Sequence, residues 1–230
     1  MTSIRPLPIK LGSQEKHSNG MLSLGSDPLL VFDIDDTLYT PDTMVHPTIR
    51  NGLYEYAAEK LGISFEEARD LGVKYNNEYG LGVKGYIYEH SLDPKGIFEH
   101  IMNSMKPEEL LNQDTELRDI LNRIPYNKII FTNGTLEQAT RILNALGIMD
   151  CFELLFHVGY SYKDFWSKPE KRCYKYIESI VGIEKPNKIY FFDDALQNIN
   201  MANELGWHGI HVGPNTSIKT ILKNLFEKEI

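Results

Sequence analysis

Short apolar segments alternate with helical segments through the second half of the chain, and this alternation constrains the fold more than any other feature. Strands are predicted at residues 128–131, 153–158, 188–192 and 208–212, and each precedes a segment with helical spacing. A further apolar strand is predicted earlier, at residues 29–32. Because strands that alternate with helices form a parallel sheet covered on both faces, the sequence predicts an α/β fold. The helices of this half are predicted over residues 135–146, 169–181, 195–205 and 217–227.

A long helical segment interrupts the alternation after the first predicted strand. About 90 residues lie between Thr37 and Tyr126, which is too many for a plain loop. Helical spacing over residues 48–61 and a capping-box pattern at Ser64 and Glu67 indicate that this segment is helical. We therefore predict a flexible arm over residues 1–27, a core made of residues 28–44 and 126–230, and a helical cap over residues 45–125. Within the cap a glycine-rich joint is predicted at residues 80–85, and hinges are predicted near residues 40–46 and 125–127.

Composition and charge exclude several classes of protein. The 230 residues carry a formal net charge of −8 and show no basic block, which argues against a nucleic-acid polymer as partner. The apolar runs are far shorter than the roughly 18 residues that cross a bilayer, so no membrane partner is expected. The two cysteines, Cys151 and Cys173, are predicted to be buried thiols. Their scarcity fits a reducing compartment, and we expect a cytoplasmic or nuclear location.

Polar residues follow the predicted strands at the point where each strand ends. They are Asp33, Asp35, Asp36 and Thr37 after the first strand, Thr132, Asn133 and Gly134 after the second, Lys168 after the third, and Asp193 and Asp194 after the fourth. The carboxyl ends of parallel strands lie at one edge of the sheet, and ligands of such folds bind there. These side chains are therefore expected to converge on one site.

The acidic residues of this set indicate a metal site. Several carboxylates at one edge repel one another unless a proton or a cation lies among them. Mg²⁺ is a hard cation that prefers oxygen ligands. Asp33 and Asp194, with the backbone carbonyl of Asp35, could supply these ligands. Either Asp193 or Asp194 could instead cap the following helix, so the choice of direct ligand stays open.

The same set of residues suits a phosphoryl group. A metal and Lys168 would neutralise its charge, while Thr132 and the backbone N–H groups of Asn133 and the next residue would donate to its oxygens. A carboxylate held against the phosphoryl group can attack it and form an aspartyl phosphate. A second Asp two positions on can protonate the leaving oxygen and later activate the hydrolytic water.

Four segments of the chain resemble, in order, the four motifs of the haloacid dehalogenase-like phosphohydrolases: DIDDTLY, FTNG, SKPE and FFDDALQN. The resemblance covers about residues 28–213 and implies a Rossmann-like parallel sheet core with a helical cap inserted after the first strand. It implies Asp33 as the nucleophile, Asp35 as the general acid and base, Mg²⁺ as the cofactor and a small-molecule phosphomonoester as the substrate. The residues implied to bind phosphate are Thr132, Asn133 and Lys168, and those implied to hold the metal are Asp33, Asp35, Asp194 and Asp193.

Within that family the chain is most similar to the pyrimidine 5′-nucleotidase-like branch of fungi and plants. The segment YGLGVKGY at residues 79–86 resembles the cap signature of that branch, which implies substrate contacts by Tyr79 and Lys84. Members of the branch hydrolyse nucleoside 5′-monophosphates such as UMP and CMP, and some relatives act on lysophosphatidic acid. The chain has Lys84 where the branch commonly has Arg, and Ala195 where it commonly has Ser. Neither departure removes a catalytic group.

Each feature also has a plainer interpretation. An acidic turn such as residues 33–36 is on its own typical of a helix cap or a solvated loop, and its weight comes from the other three motifs. Four cap tyrosines could stack on a base, but aromatic residues more often pack in a core. They are Tyr75, Tyr79, Tyr86 and Tyr88. The histidines show no close metal-ligand spacing and are assigned no role.

Other functions share parts of this pattern. A haloacid dehalogenase needs no metal and no acid two residues after its nucleophile, so Asp35 and Asp194 argue against it. A phosphomutase shares every motif and differs in its products or in its need for a bisphosphate activator. A phospho-receiver has its acidic pair before the phosphorylated Asp and lacks a cap, and an inactive binding module would not require the intact motifs. The leading prediction is therefore a Mg²⁺-dependent phosphatase acting on UMP or CMP, with a sugar phosphate or lysophosphatidic acid as alternative substrates. The oligomeric state is left open.

Overall fold

One parallel sheet organises the chain. The structure, a computed structural model, describes residues 7–11, 27–160, 165–183 and 185–227. Within these residues six strands pair in parallel in the order β1-β4-β3-β2-β5-β6. They are β1 (Leu7–Leu11), β2 (Leu29–Phe32), β3 (Asn127–Phe131), β4 (Leu154–Val158), β5 (Ile189–Asp193) and β6 (His208–His211). The predicted α/β fold with a parallel sheet is confirmed.

Ten helices accompany the strands in the described part of the chain. They are α1 (Val45–Leu61), α2 (Phe65–Tyr79), α3 (Gly82–His90), α4 (Pro94–Ser104), α5 (Pro107–Leu110), α6 (Thr115–Arg123), α7 (Leu136–Leu146), α8 (Lys171–Val181), α9 (Leu196–Glu204) and α10 (Ile218–Leu225). The predicted capping box is present, since the Glu67 N–H donates to Ser64 Oγ and the Ser64 N–H donates to the Glu67 side chain. No helix among the described residues is long and apolar enough to cross a membrane.

The glycine-rich joint predicted at residues 80–85 differs from the structure, because Gly82 begins α3. The reason is close packing of α3 on α2. A Cβ at Gly82 would lie 2.9 Å from the backbone oxygen of Gly72, and a Cβ at Gly85 would overlap the Tyr75 ring. These glycines therefore allow two helices to approach each other closely. Close approach is a use of glycine that is distinct from backbone flexibility.

Strand β1 lies inside the segment predicted as a flexible arm. It pairs with β4 at the edge of the sheet, and this part of the arm prediction is wrong. Apolar residues occupy every second position of this segment, at Leu7, Ile9 and Leu11. Pro8 is compatible with a strand here, because proline is tolerated in an edge strand. The other arm residues before residue 27 lie outside the described residues.

Two apolar clusters cover the two faces of the sheet. Side chains alternate along β2, so that Leu29 and Val31 join one cluster and Leu30 and Phe32 join the other. All four are fully buried, as expected for a strand inside a parallel sheet. Cys151 and Cys173 are free and buried, which confirms the prediction for both thiols.

The last helix of the inserted segment packs differently from the first four. Residues of α1 to α4 pack into the cluster that contains Leu29. Helix α6 instead contributes Leu117 and Ile120 to the cluster that contains Phe32, and Arg118 pairs with Asp150 of the core. Helix α6 therefore packs on the core, although it belongs to the inserted segment.

Candidate active site

The topology concentrates polar residues beside β2. The chain places β3 and β4 on one side of β2 and β5 and β6 on the other, and ligands of open α/β sheets bind where the strand order reverses in this way. Asp33 directly follows β2, Thr132 follows β3, and Asp193 ends β5. Lys168 lies on the segment between β4 and α8. The predicted convergence of these residues is present in the structure.

Lys168 connects two of the acidic residues. Its ammonium donates to Asp33 Oδ1 and to Asp193 Oδ2, both at 2.6 Å. The lysine is 1% exposed, so these ion pairs are shielded from water. Burial alone lowers the pKa of Lys168, but the Asp193 and Asp33 carboxylates raise it on balance. Lys168 is therefore a fixed cation at the centre of the site.

The site keeps an excess of negative charge. Carboxylate oxygens of Asp33, Asp193 and Asp194 lie within 4.8 Å of one another, and Lys168 supplies one compensating charge. Burial raises the pKa of Asp33, with Lys168 opposing and the neighbouring carboxylates adding to the shift. Burial and the Asp193 charge raise the pKa of Asp194 to about 6. Such an all-oxygen set with uncompensated charge fits a hard divalent cation.

The acidic pair Asp193 and Asp194, at the end of β5, separates into two structural roles. Asp193 is fully buried and accepts from the Ala195 N–H at 2.8 Å and from Asn198 Nδ2 at 2.9 and 3.0 Å, in addition to Lys168. Its oxygens are therefore already occupied. The carboxylate of Asp194 makes no hydrogen bond with any described residue and lines the cavity of the site. Of the two, Asp194 is the one available to a metal.

Asp35 is held by two residues to which the sequence pattern assigns no role. Tyr39 Oη donates to Asp35 Oδ1 at 2.5 Å, and Gln138 Nε2 donates to Asp35 Oδ2 at 3.1 Å. Tyr39 lies four positions along the same turn, whereas Gln138 lies in the first turn of α7. A pair such as Asp35 and Gln138 carries no local sequence signal, because only the packing of α7 on the sheet brings it together.

The segment after β3 makes contacts within the protein that involve its predicted phosphate-binding residues. The Gly134 N–H donates to Thr132 Oγ1 at 2.9 Å, which leaves the Thr132 hydroxyl hydrogen available to a ligand. The Asn133 side chain holds the Lys168 backbone at both ends, accepting from its N–H at 2.8 Å and donating to its carbonyl at 3.1 Å. Thr132 is 1% exposed and keeps this hydrogen for a further partner, while the Asn133 side chain orients the lysine.

A cavity of about 370 Å³ lies between the cap and these residues. Core residues that line it include Asp33, Asp35, Asn133, Lys168 and Asp194, and cap residues that line it include His46, Arg50, Asn76 and Asn77. His46 Nδ1 lies 2.5 Å from Asp36 Oδ2. Burial lowers the pKa of His46, but this hydrogen bond and the nearby Asp35 and Asp36 charges raise it on balance. His46 is thus a cap residue at the site that its sequence spacing did not reveal.

The two residues predicted to contact substrate, Tyr79 and Lys84, do not line this cavity. Tyr79 Oη donates to Glu89, and the Lys84 ammonium donates to Glu170. Both side chains are directed to partners within the protein. Among the other cap tyrosines, Tyr75 and Tyr86 are buried, so for these two the core-packing interpretation holds.

Comparison with known proteins gives one family and several relatives. A family model for haloacid dehalogenase-like hydrolases matches residues 28–206. Phosphate metabolism protein 8 of Saccharomyces cerevisiae is 29% identical over 193 residues, which are 79% of this chain and 60% of the yeast protein. The chain thus spans less than two thirds of that relative.

Solved structures share the fold. A haloacid dehalogenase-like family hydrolase from Xanthomonas campestris superposes with a TM-score of 0.55 at 14% identity, over 91% of this chain and 98% of that one. A HAD phosphatase from Thermococcus onnurineus superposes with a TM-score of 0.51 at 21% identity, over 87% and 97% of the two chains. At these identities the likeness establishes the architecture alone.

Proposed function

This chain belongs to the haloacid dehalogenase-like hydrolase family, as its four motifs predict, and we propose that it is a Mg²⁺-dependent phosphatase of small phosphomonoesters. One observation carries the proposal: the buried Lys168 ammonium bridges Asp33 and Asp193 beside the Asp194 carboxylate, at the floor of a cavity. A nucleophilic carboxylate, a fixed cation and an acidic metal set are the groups that phosphoryl transfer requires. The name of the yeast relative, which refers to phosphate metabolism, is consistent with this chemistry.

The reaction follows from the residues in two steps. The Asp33 carboxylate attacks phosphorus, the bond to the leaving oxygen breaks, and Asp35 donates a proton to that oxygen. Asp35 then takes a proton from water, which attacks the phosphorus atom, releases inorganic phosphate and restores the Asp33 carboxylate. Lys168 and the Thr132 hydroxyl hold the phosphoryl oxygens in both steps. When bound by Asp33, Asp194 and the Asp35 backbone carbonyl, Mg²⁺ would offset the negative charge shared by carboxylates and phosphate.

The inserted helices are proposed to act as a cap over this reaction. Helices α1 and α2 line the cavity together with Asp33, so they cover part of the site and can limit the access of water. We assign α1 to α4 to the cap and the remaining described elements to the core, with residues 40–46 as one hinge. A cavity of this size suits a compact metabolite, because small-ligand pockets span roughly 300–1,000 Å³.

The proposed substrate class is a pyrimidine nucleoside 5′-monophosphate such as UMP or CMP. Arg50, Asn76 and Asn77 line the cavity from the cap, and their side chains make no hydrogen bond or ion pair with the described residues. Amide groups both donate and accept, and a guanidinium donates, so together they can pair with the polar edge of either uracil or cytosine. These three side chains support a nucleotide over an apolar-chain substrate such as lysophosphatidic acid.

Metal dependence and substrate class can be tested together. We expect inorganic phosphate release from UMP and CMP in the presence of Mg²⁺, loss of release with EDTA, and recovery when Mg²⁺ is added back. The panel also contains AMP, GMP, sugar phosphates, glycerol phosphates and lysophosphatidic acid. Preference for another member would keep the chemistry and reject the pyrimidine assignment. If no member of the panel releases inorganic phosphate, whether or not a bisphosphate activator is added, the phosphatase proposal is rejected.

Arg50 provides a sharper test of base recognition. We expect Arg50→Gln to raise KM for UMP about tenfold with little change in kcat, because a hydrogen bond to a charged group contributes about 1.5–3 kcal/mol. Hydrolysis of p-nitrophenyl phosphate, which has no base, should be unaffected. Arg69→Gln is the matched control, since Arg69 lies on α2, pairs with Asp70 and does not line the cavity. Equal losses for both substrates would contradict a role for Arg50 in recognising the base.

A further inference from the structure

Lys84 is a buried charge in the cap that the proposed chemistry does not use. It lies on α3, is 4% exposed, and donates to Glu170 Oε1 of the core. Its ammonium also lies 5.3 Å from the centre of the Phe165 ring. A buried ion pair stabilises a fold weakly at best, because desolvation offsets its Coulomb attraction. Its location, between the cap and the segment that carries Lys168, indicates a different role.

Glu170 extends this contact to the backbone beside Lys168. The same oxygen that accepts from Lys84 also accepts from the Ser167 N–H at 3.0 Å. On the other side of the lysine, the Asn133 side chain holds the backbone N–H and carbonyl of Lys168. Asn133 of the core and the Lys84–Glu170 ion pair to the cap therefore both contact this segment. Arg172 pairs with the other oxygen of Glu170 at 2.6 Å.

A second contact joins the cap to the same segment. Gly80 ends α2 with a φ of 73°, and a Cβ there would lie 2.5 Å from Pro169 Cδ. Its carbonyl accepts from Gln197 Nε2 of the core at 3.1 Å. Glycine at this position both allows the left-handed backbone and lets the cap approach Pro169 closely.

We propose that Lys84 and Glu170 are positioning residues, whose ion pair fastens the cap to the Ser167–Glu170 segment and thereby sets the place of the Lys168 ammonium between Asp33 and Asp193. The cap then docks on the core and aligns the Lys168 ammonium through the same contact. Lys84 accordingly serves this docking contact, and it does not line the cavity. The catalytic consequence rests on the proposed phosphatase function, whereas the docking contact itself does not.

The test compares charge-removing, conservative and control variants. Lys84→Met removes the charge at similar length, and Glu170→Gln keeps an oxygen for the Ser167 N–H but removes the negative charge. Each should lower kcat for phosphate release about 10- to 100-fold with little change in KM, because small misplacement of a catalytic group has effects of this size. The double variant should lose no more than either single variant. Lys84→Arg should retain activity, and Lys74→Met, at an exposed cap lysine, should match the wild type.

Hydrogen exchange gives a readout that does not need activity. In Lys84→Met the Ser167 and Lys168 amides should exchange at least about tenfold faster than in Lys74→Met, because their segment loses its contact to the cap. Faster exchange in a protein that releases no phosphate would reject the phosphatase and keep the docking contact. Exchange equal to that of Lys74→Met, or additive losses in the double variant, would overturn the proposal. If Lys84→Met does not fold, Glu170→Gln and Lys84→Arg provide the same comparison.

Discussion

Replacement of Asp33 by Asn is expected to lower kcat/KM for phosphate release by about 10⁴-fold or more, because removal of a nucleophile has effects of this order. Asn keeps the shape of the side chain and one oxygen for Lys168, but its amide cannot form an aspartyl phosphate. Lys168 retains its ion pair with Asp193, so the variant should fold. Phosphate release under single-turnover conditions, together with thermal unfolding of the same sample, measures both points.

The control for this change is Asp119→Asn, at an exposed carboxylate of α6 that should leave kcat/KM unchanged. Rapid acid quench should detect a phosphorylated protein in the wild type and in Asp119→Asn but not in Asp33→Asn. Intact mass analysis checks that the introduced amide has not deamidated back to the carboxylate. Retention of more than about a hundredth of the activity in a non-deamidated sample would show that another group attacks phosphorus.

Sequence patterns predicted the features that local physical chemistry determines. The apolar run at residues 29–32 can only be buried on both faces, and it forms the central strand β2. The capping pair Ser64 and Glu67 begins α2 as predicted. The proximity of Asp33 and Lys168 could be predicted, because each lies next to a strand end or inside a recognisable motif. Parallel strands bring such positions to one edge of the sheet.

Contacts that depend on tertiary packing could not be predicted in this way. Gln138 reaches Asp35 only because α7 packs beside β2, and no spacing in the sequence signals the pair. Lys84 and Glu170 lie 86 positions apart, so a substrate contact was the natural interpretation of a lysine in a cap motif. The glycines at residues 82 and 85 predict a joint between helices, whereas in the structure they allow close helix packing, and both uses call for the same residue.

Replacement of Lys168 by Met is expected to have the second large effect, on both stability and activity. Without the ammonium, Asp33 and Asp193 lie buried with no opposite charge between them. Breaking a buried charge pair in this way costs about 3–5 kcal/mol of unfolding free energy. Activity should fall about 10³-fold as well, because the phosphoryl oxygens lose a fixed cation. Urea unfolding in EDTA and phosphate release in Mg²⁺ measure the two effects.

The pH dependence of this variant has a defined sign. Burial already raises the pKa of Asp33 and Lys168 opposes the shift, so its removal raises that pKa further in the folded state. A raised folded-state pKa means that the folded protein binds a proton which the unfolded chain releases near its ordinary pKa of about 3.9. The free energy of unfolding of Lys168→Met should therefore fall, relative to the wild type, as the pH rises from about 4 through the raised pKa.

Lys128→Met is the matched control for a buried lysine. Lys128 is 7% exposed and donates to the carbonyls of Ile124 and Tyr126, and its acidic neighbour is Glu153, not an acidic residue of the site. Its removal should lower stability, because two buried carbonyls lose their donor, but kcat should stay near that of the wild type. Added Mg²⁺ should restore more stability to Lys168→Met than to Lys128→Met, since a divalent cation supplies charge to the same carboxylates. If the two variants respond equally to Mg²⁺ and to pH, then Lys168 does not compensate the acidic site and serves only as packing.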